Sequence, residues 1–177
     1  ANAQGIEIGG RKVKFEMVAE DDEANPTKAT TVAQKLVDSK VAGVDGHFNS
    51  GASIPASKIY SDAGIPQISP SSTNPKYTQQ GFKTTFRVVA HGDQQGATLG
   101  NFAINNLKVK SVAVIDDSTA YGQGLADAFA RTVKAGGVNL LTAEQATDKV
   151  TDFRGNLTKV KGLNPDLILF GGIASGL

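Results

Sequence analysis

Three polar loops carry the residue types in this sequence that are best suited to chemistry. They span residues 46–51, 69–75 and 116–122, and each follows an apolar run that is typical of a buried strand. In an open parallel sheet, ligands bind in the crevice at the carboxyl ends of the strands. Three hydroxyl-rich loops at that edge therefore predict a site for a small polar molecule.

Five side chains in these loops are candidate ligand contacts. Ser50 lies where a helix is predicted to begin, and free backbone N–H groups there favour a carboxylate; the alternative is that Ser50 only caps its own helix. Ser71, Ser72 and Thr73 can donate to a carboxylate and accept from an ammonium, or can form an ordinary turn. Tyr121 can close over an apolar ligand group or pack on its own helix.

The residue spacing matches neither a nucleophilic catalytic site nor a metal site. Phe48 and Ala52 stand where the glycines of a nucleophile elbow around Ser50 would be required. The two histidines, His47 and His91, do not have the spacing of metal ligands. We therefore predict no catalytic residue and no metal site.

Two further patterns suggest other classes of protein. Residues 122–127 begin like a dinucleotide-binding fingerprint but end in Asp127, which leaves a nucleotide-dependent α/β enzyme as the alternative from another class. The acidic pairs at 21–22 and 116–117 resemble those of a magnesium-binding receiver domain, but solvated strand ends are the simpler interpretation. We predict a protein that is not an enzyme and has no cofactor.

Composition limits the partners. The chain has 177 residues, enough for one large domain or two small ones, and its net charge of +1 comes from 18 basic and 17 acidic residues. Such a balance does not favour nucleic acid or an anionic membrane. The absence of cysteine excludes disulfides but leaves the compartment open. No apolar run approaches the ~20 residues of a membrane span, and no signal peptide is recognisable at the start.

Strands that alternate with helices predict an α/β fold with parallel sheets. Apolar residues at helical spacing predict helices within 29–37, 52–63, 97–107, 125–133 and 150–160. Strands are predicted at 13–20, 41–46, 66–69, 86–89, 111–115, 138–141 and 167–170.

Turn and cap residues predict where the chain divides. Asp93 is expected to cap one helix and the pair Gly136-Gly137 to end another. A polar stretch near 87–93 predicts a boundary, with an N-terminal lobe at 1–88, a C-terminal lobe at 89–177 and a ligand cleft between them.

An ordered set of short motifs runs through the whole chain. The motifs are Glu20-Asp21-Asp22, Gly46-His47, Ser50 with Pro55-Ala56, Gly64-Ile65-Pro66, Ile68-Ser69-Pro70, Thr73-Asn74-Pro75, Phe86-Arg87, Asp93-Gln94-Gln95-Gly96, Val114-Ile115-Asp116-Asp117, Tyr121-Gly122-Gln123-Gly124, Thr151-Asp152-Phe153, Asn164-Pro165-Asp166 and Gly171-Gly172. In this order they resemble the periplasmic branched-chain amino-acid-binding proteins of ABC transporters.

The resemblance implies a type I solute-binding protein with two doubly wound, Rossmann-like lobes that close on a ligand like a hinge. It implies that the Ser50 loop and the loop from Ser71 to Thr73 hold the carboxylate and ammonium of an amino acid, and that Tyr121 contacts the ligand from the other lobe. It also implies a membrane permease as partner and a periplasmic location.

The chain departs from the family pattern at two loops. Some members have a disulfide at the positions of Ala24 and Asn49, and others have two alanines at Ser71 and Ser72, so this site is expected to be more polar.

The resemblance also implies that the fold is incomplete at both ends. The chain begins at what resembles the end of the family's first helix, without the first strand, and it ends at residues 171–177 before the later elements of the second lobe. We therefore expect unpaired edges at 13–20 and 41–46. These 177 residues alone are expected to pair with the missing segments, to swap elements with a second copy, or to pair 13–20 directly with 41–46. Their own affinity for amino acids is expected to be weak or absent.

Overall fold

The computed structural model describes residues 2–147, 150 and 152–173, and within them the chain forms two parallel three-stranded sheets with helices. Residues 2–4 form a 3-10 turn, and a small antiparallel hairpin follows from β1 (Glu7–Ile8) and β2 (Arg11–Lys12). The described chain contains no helix long and apolar enough to cross a membrane.

The first sheet has short strands in the order β3-β4-β5. Its elements are α1 (Pro26–Asp38), β3 (Val44–Asp45), α2 (Ser50–Asp62), β4 (Gln67–Ser69), α3 (Lys76–Gln79) and β5 (Thr85–Arg87). Helices α1 and α2 pack on each other through an apolar cluster that includes Ala33, Leu36, Ala56 and Tyr60. This packing fixes the beginning of α2 beside the carboxyl ends of β3 and β4.

The second sheet has longer strands in the order β7-β6-β8. Its elements are α4 (Gly92–Asn105), β6 (Ser111–Asp116), α5 (Ala120–Ala135), β7 (Asn139–Gln145), α6 (Arg154–Leu163) and β8 (Leu167–Gly171). The central strand β6 is buried because Val112 and Val114 face the helices, where Phe129 and Val133 of α5 complete the core. A buried central strand flanked by two parallel neighbours explains why its sequence is continuously apolar.

Helices α4 and α5 approach closely at two glycines of α4. A Cβ on Gly96 would lie 2.7 Å from the backbone nitrogen of Phe129, and a Cβ on Gly100 would lie 2.7 Å from the Cβ of Thr132. Helix α4 is therefore packed against α5, a helix of the second sheet. The predicted division into lobes at 88 and 89 stays a prediction.

The predicted strand at residues 13–20 is wrong. The chain there has no strand structure and no ladder partner within the described residues, and residues 14–19 are exposed. Among the described residues β3 pairs with β4 alone, so the direct pairing of 13–20 with 41–46 is not seen there either. A strand needs a neighbour for its backbone hydrogen bonds, and an alternating apolar pattern does not provide one.

The remaining strands lie within a few residues of their predicted positions, but one predicted cap is wrong. Asp93 lies inside the first turn of α4, whose N-cap is His91, and its carboxylate forms an ion pair with Arg131 at 2.6 Å. Helix α5 ends as predicted at the glycine pair. Gly136 is its C-cap and Gly137 has a φ of 77°, which confirms the predicted glycine stop. Residues 174–177, part of the predicted chain end, and Ala1 lie outside the described residues.

Candidate functional site

A cavity of about 300 Å³ lies where the beginnings of α2 and α5 face each other. Both helices begin directly after the carboxyl end of a parallel strand, which is the edge where such sheets bind ligands. The cavity is lined by Phe48, Asn49, Ser50, Ser71, Thr73, Gln95, Tyr121 and Ile173.

The first turn of α2 supplies hydrogen-bond donors to this cavity. Asn49 is the N-cap, and its carbonyl accepts the N–H groups of Ala52 and Ser53. The N–H groups of Ser50 and Gly51 have no partner among the described residues. Two free donors at the positive end of a helix dipole make this turn receptive to an anion.

Ser50 does not cap its helix, because it is the first residue of α2 and Asn49 is the N-cap. The Ser50 hydroxyl oxygen accepts the backbone N–H of Asn74 at 3.2 Å. Ser50 is only 2 % exposed, so its position is tightly fixed. A hydroxyl that accepts one bond still has its own hydrogen to donate. Ser50 can therefore donate to a ligand while it holds the second loop in place.

Serine hydroxyls attach the second loop to backbone oxygens of the first. The carbonyl of His47 accepts hydrogen bonds from the hydroxyls of Ser53 at 3.0 Å, Ser69 at 2.7 Å and Ser72 at 3.3 Å. The single hydroxyl hydrogen of Ser72 is shared between this carbonyl and the carbonyl of Phe48, which lies 3.1 Å from the hydroxyl oxygen. These serines, named here the serine cluster, are buried and hold the 46–50 and 69–75 loops together.

Ser72 therefore lies behind the cavity wall and not on it. Its side chain is completely buried, and its hydroxyl lies 2.5 Å from the hydroxyl of Ser53. Of the five residues predicted as ligand contacts, Ser72 is the one that the structure does not bring to the cavity. The reason is the alternation of side chains along the loop, which turns Ser71 and Thr73 outward and Ser72 into the core.

Arg87 fixes the backbone on both sides of Thr73. Its guanidinium donates to the carbonyl of Ser72 at 2.7 Å and to that of Asn74 at 3.0 Å, and it lies 5.4 Å from the centre of the Tyr77 ring. Partial burial lowers the pKa of Arg87 from its ordinary value. The hydroxyl of Thr73 is buried and has no hydrogen-bond partner within the described residues.

A buried polar chain supports the loop that precedes α2. Asp22 and His47 form a contact of 2.5 Å, and the other ring nitrogen of His47 lies 3.0 Å from the hydroxyl of Tyr60. Burial and the charge of Asp22 raise the pKa of Tyr60. The Asp22 carboxylate, predicted as part of a solvated strand end, is in fact a structural partner of His47.

The acidic pair before α5 is also buried, so the interpretation of Asp116 and Asp117 as solvated is wrong. Asp117 accepts the N–H and hydroxyl of Thr119, at 2.9 and 2.6 Å, and the N–H of Ile173 at 2.7 Å. Burial raises the pKa of Asp116, which accepts the N–H of Ser118. Polar side chains at strand ends are solvated only when no loop folds over them.

These bonds place the second half of the cavity wall. Thr119 caps α5 by accepting the N–H of Gly122, which positions Tyr121 in the first turn. Gln95 of α4 donates to the Tyr121 hydroxyl at 3.4 Å. Tyr121 therefore lies on the cavity wall and is not turned away into its own helix.

The glycines of the apparent dinucleotide fingerprint have a packing role. A Cβ on Gly122 would collide with the Asp117 carboxylate, and a Cβ on Gly124 would lie 2.8 Å from the side-chain nitrogen of Asn74. That nitrogen donates to the carbonyl of Ala120 at 2.5 Å, which joins the second loop to α5. The described residues contain no group of acidic or histidine side chains that could hold a metal ion.

Sequence reasoning missed four residues that line the cavity, namely Phe48, Asn49, Gln95 and Ile173. Phe48 and Asn49 lie inside the polar loop 46–51, but the residue type alone does not show whether an N-cap asparagine bonds to its helix or lines a cavity. Gln95 is brought in by α4 and Ile173 by the end of β8. Only the tertiary structure places these two elements beside the loops.

This geometry matches that of known binding proteins. A sequence model of the periplasmic binding protein family matches residues 1–177. The chain belongs to this family. An amino acid binding protein of Pseudomonas aeruginosa is 43% identical over 167 residues, which cover 94% of this chain and 44% of that protein. A Leu/Ile/Val-binding protein homolog of Brucella suis is 38% identical over 166 residues, which cover 94% of this chain and 44% of that protein.

Solved structures show the same fold. The isoleucine complex of LivJ, the branched-chain amino acid transporter substrate-binding protein of Streptococcus pneumoniae, has a TM-score of 0.82 and 32% identity, and the match covers 96% of this chain and 47% of that chain. A benzoate complex of a solute-binding protein from R. palustris has a TM-score of 0.83 and 28% identity. The match covers 99% of this chain and 48% of that chain. The chain spans about half the length of these relatives.

The comparisons confirm several predictions. The resemblance to branched-chain amino-acid-binding proteins, the type I periplasmic binding protein fold and the assignment to a binding family and not to an enzyme are all confirmed. The family also implies a location outside the cytoplasm. The nucleotide-dependent enzyme is set aside. The roles of Ser50, Ser71, Ser72, Thr73 and Tyr121 in ligand binding stay predictions.

Proposed function

We propose that this protein is the solute-binding component of an ABC importer and that it binds a branched-chain or similar amino acid in the cavity between α2 and α5. The observation that carries the proposal is a set of donors without partners at one wall. These are the N–H groups of Ser50 and Gly51 and the buried hydroxyl of Thr73, none of which is paired within the described residues. Buried polar groups are normally hydrogen-bonded, so unpaired donors on residues that line a cavity favour a ligand that accepts hydrogen bonds.

The carboxylate of an amino acid is the acceptor that fits this wall. It carries negative charge to the positive end of α2 and has lone pairs enough for several donors. No charged side chain is among the residues that line the cavity in the described chain, so the helix end and hydroxyls alone would hold the carboxylate. Phe48 and Ile173 supply apolar surface for a short side chain.

The named relatives support an amino acid, and one structural neighbour supports a second candidate. The R. palustris protein binds benzoate, a carboxylate without an ammonium group. The same donors would hold the carboxylate of either ligand class. A membrane permease as partner and a periplasmic location follow from this proposal, because the relatives include the substrate-binding protein of a branched-chain amino acid transporter.

Calorimetric titration of the intact protein with amino acids and small carboxylates tests the proposal. Losing a hydrogen bond to a charged group costs roughly 1.5–3 kcal/mol. Ser50→Ala and Thr73→Ala should each therefore weaken binding about ten-fold or more. Ser61→Ala is the matched control, since Ser61 lies on α2 but not on the cavity. Unchanged affinity in both cavity variants would reject the assignment of these donors.

Closure of the two walls gives a second test, at Tyr121. Tyr121 lies across the cavity from α2, so it should contact ligand mainly when the walls are close together. A ligand shifts an open–closed balance only by its differential affinity for the two forms. Tyr121→Ala should therefore reduce both affinity and the ligand-induced compaction that X-ray scattering measures. Full compaction of the variant at saturation would leave Tyr121 as a packing residue.

Self-association of the 177-residue chain also stays a proposal. Its support is the exposure of large apolar side chains, with Met17 88% and Val88 73% exposed and Phe15 and Phe86 about half exposed. Apolar surface of this kind promotes association. Light scattering of the purified chain should show dimers or larger species, and a monodisperse monomer would contradict it.

A further inference from the structure

Two hydrogen bonds join the part of the chain that ends with β5 to the part that begins with α4. The carbonyl of Thr73 accepts the N–H of Gly92 at 2.6 Å, and the side-chain nitrogen of Asn74 donates to the carbonyl of Ala120 at 2.5 Å. Within the described residues no other hydrogen bond crosses between these two parts. Gly92 directly follows the connecting segment, whereas Ala120 begins α5, so the Asn74–Ala120 bond is the one that ties the two cavity walls.

Asn74 is held firmly on the side of the first sheet. Its N–H donates to the hydroxyl of Ser50 at 3.2 Å, its carbonyl accepts from Arg87 at 3.0 Å, and its side-chain oxygen accepts the N–H of Lys76 at 2.9 Å. Because that oxygen faces an N–H group, the side-chain nitrogen is the atom that faces Ala120. Asn74 is therefore a fixed donor to the opposite wall, and it is not among the residues that line the cavity.

The first turns of α2 and α5 approach closely around this bond. A Cβ on Gly124 would lie 2.8 Å from the side-chain nitrogen of Asn74, and a Cβ on Gly51 of α2 would lie 4.0 Å from the Cβ of Ala120. A hydrogen bond is lost once its heavy atoms are more than about 3.5 Å apart. The Asn74–Ala120 bond can therefore exist only while the two walls are close together.

We propose that Asn74 is a positioning residue that favours the closed arrangement of the two cavity walls without contacting the ligand. This inference rests on the proposed function, because it concerns closure of the same cavity. A bond that is present only in the closed form shifts the open–closed balance by its own net free energy. Loss of one such bond should lower the ratio of closed to open molecules roughly two-fold to ten-fold.

A distance measurement in the ligand-free intact protein tests this directly. The chain contains no cysteine, so Lys58→Cys on α2 and Lys134→Cys on α5 place one spin label on each helix at an exposed position. Electron–electron double resonance should show that Asn74→Ala moves molecules from shorter to longer distances between the labels. A distance distribution that Asn74→Ala leaves unchanged would overturn the inference.

Gly124→Ala weakens the same bond from the other side. The added methyl group should displace the Asn74 amide, whereas alanine favours the helix, so the melting temperature should not fall. A shift to longer distances without a loss of stability distinguishes positioning from general damage to the structure. Gly155→Ala in α6 is the matched control, because a Cβ there would meet nothing within 4 Å, and it should leave the distances unchanged.

The double variant decides whether both changes act on one bond. In the Asn74→Ala background, Gly124→Ala has no amide to displace, so the double variant should have the same distance distribution as Asn74→Ala alone. Shifts that add would overturn the inference, because they would show that Gly124→Ala separates the walls without acting on Asn74.

Calorimetric titration with L-leucine separates this inference from the proposed function. Asn74→Ala should weaken leucine binding roughly two-fold to ten-fold, because less of the protein is in the closed form. Leucine binding that is equally tight in wild type and Asn74→Ala would overturn the inference and leave the proposed function standing. Shifted distances in the variants of a protein that does not bind leucine would count against a branched-chain ligand and would support the positioning role of Asn74.

Discussion

The two sheets of this protein hold their parts of the cavity by different means. Around the first sheet, serine hydroxyls, Arg87 and the pair Asp22–His47 bond directly to the loops that line the site. Around the second sheet, an apolar core of β6 and α5 fixes the helix, and a few bonds from Asp117 complete the loop. Single changes in the first region should therefore lower the free energy of unfolding less than the loss of a core side chain in the second region.

The largest expected effect is the loss of an apolar side chain in the second region. Phe129 is 1% exposed and packs in the core between α5 and β6. Phe129→Ala should lower the free energy of unfolding by about 3–5 kcal/mol, because it removes buried area and leaves a cavity. Urea denaturation measures this. Phe102→Ala, at a half-exposed position of α4, is the control and should cost much less.

The serine cluster should show an intermediate effect. Ser53→Ala and Ser72→Ala each leave neighbouring polar groups without a partner, which costs about 1–3 kcal/mol. Because the two hydroxyls are bonded to each other, the double variant should cost less than the sum of the single ones. Additive losses in the same denaturation experiment would contradict the view of the cluster as one network.

The smallest of these effects should be a pH-dependent contribution to the free energy of unfolding, made by a carboxylate in the second region. Asp166 accepts the N–H groups of Lys110 at 2.7 Å and Ser111 at 2.9 Å, and these bonds lower the pKa of its carboxyl. A lowered pKa means stability that is present above the unfolded value, about 3.9, and lost as the pH falls through the folded value.

Asp166→Asn provides the measurement. Wild type should be slightly more stable than the variant at neutral pH, and the difference should shrink in acid. A difference that is constant with pH would show that the carboxylate charge is not involved.

Local pattern predicted the second region better than the first. The run Ser-Val-Ala-Val-Ile from Ser111 is almost continuously apolar, which is typical of a strand covered on both faces, and the structure buries Val112 to Ile115. Residues 13–20 have an alternating apolar and charged pattern that also predicts a strand, yet Phe15 and Met17 are exposed, because the described residues contain no strand beside them. The apolar pattern of a segment indicates which of its faces is suited to burial, whereas strand pairing depends on whether another segment lies beside it.

The sequence by itself determined the alternation of strands and helices, the three loops at strand ends and the family to which their motifs point. These follow from side-chain periodicity and from local turn chemistry, which act over a few residues. Only the tertiary structure decided which loop residues face the ligand cavity. It turned Ser72 inward, buried Asp116 and Asp117, and left the amide of Asn49 without a bond to its helix. Each of these outcomes depends on partners that are distant in sequence, and the hydrogen-bonding capacity of a residue does not reveal which partner it will meet.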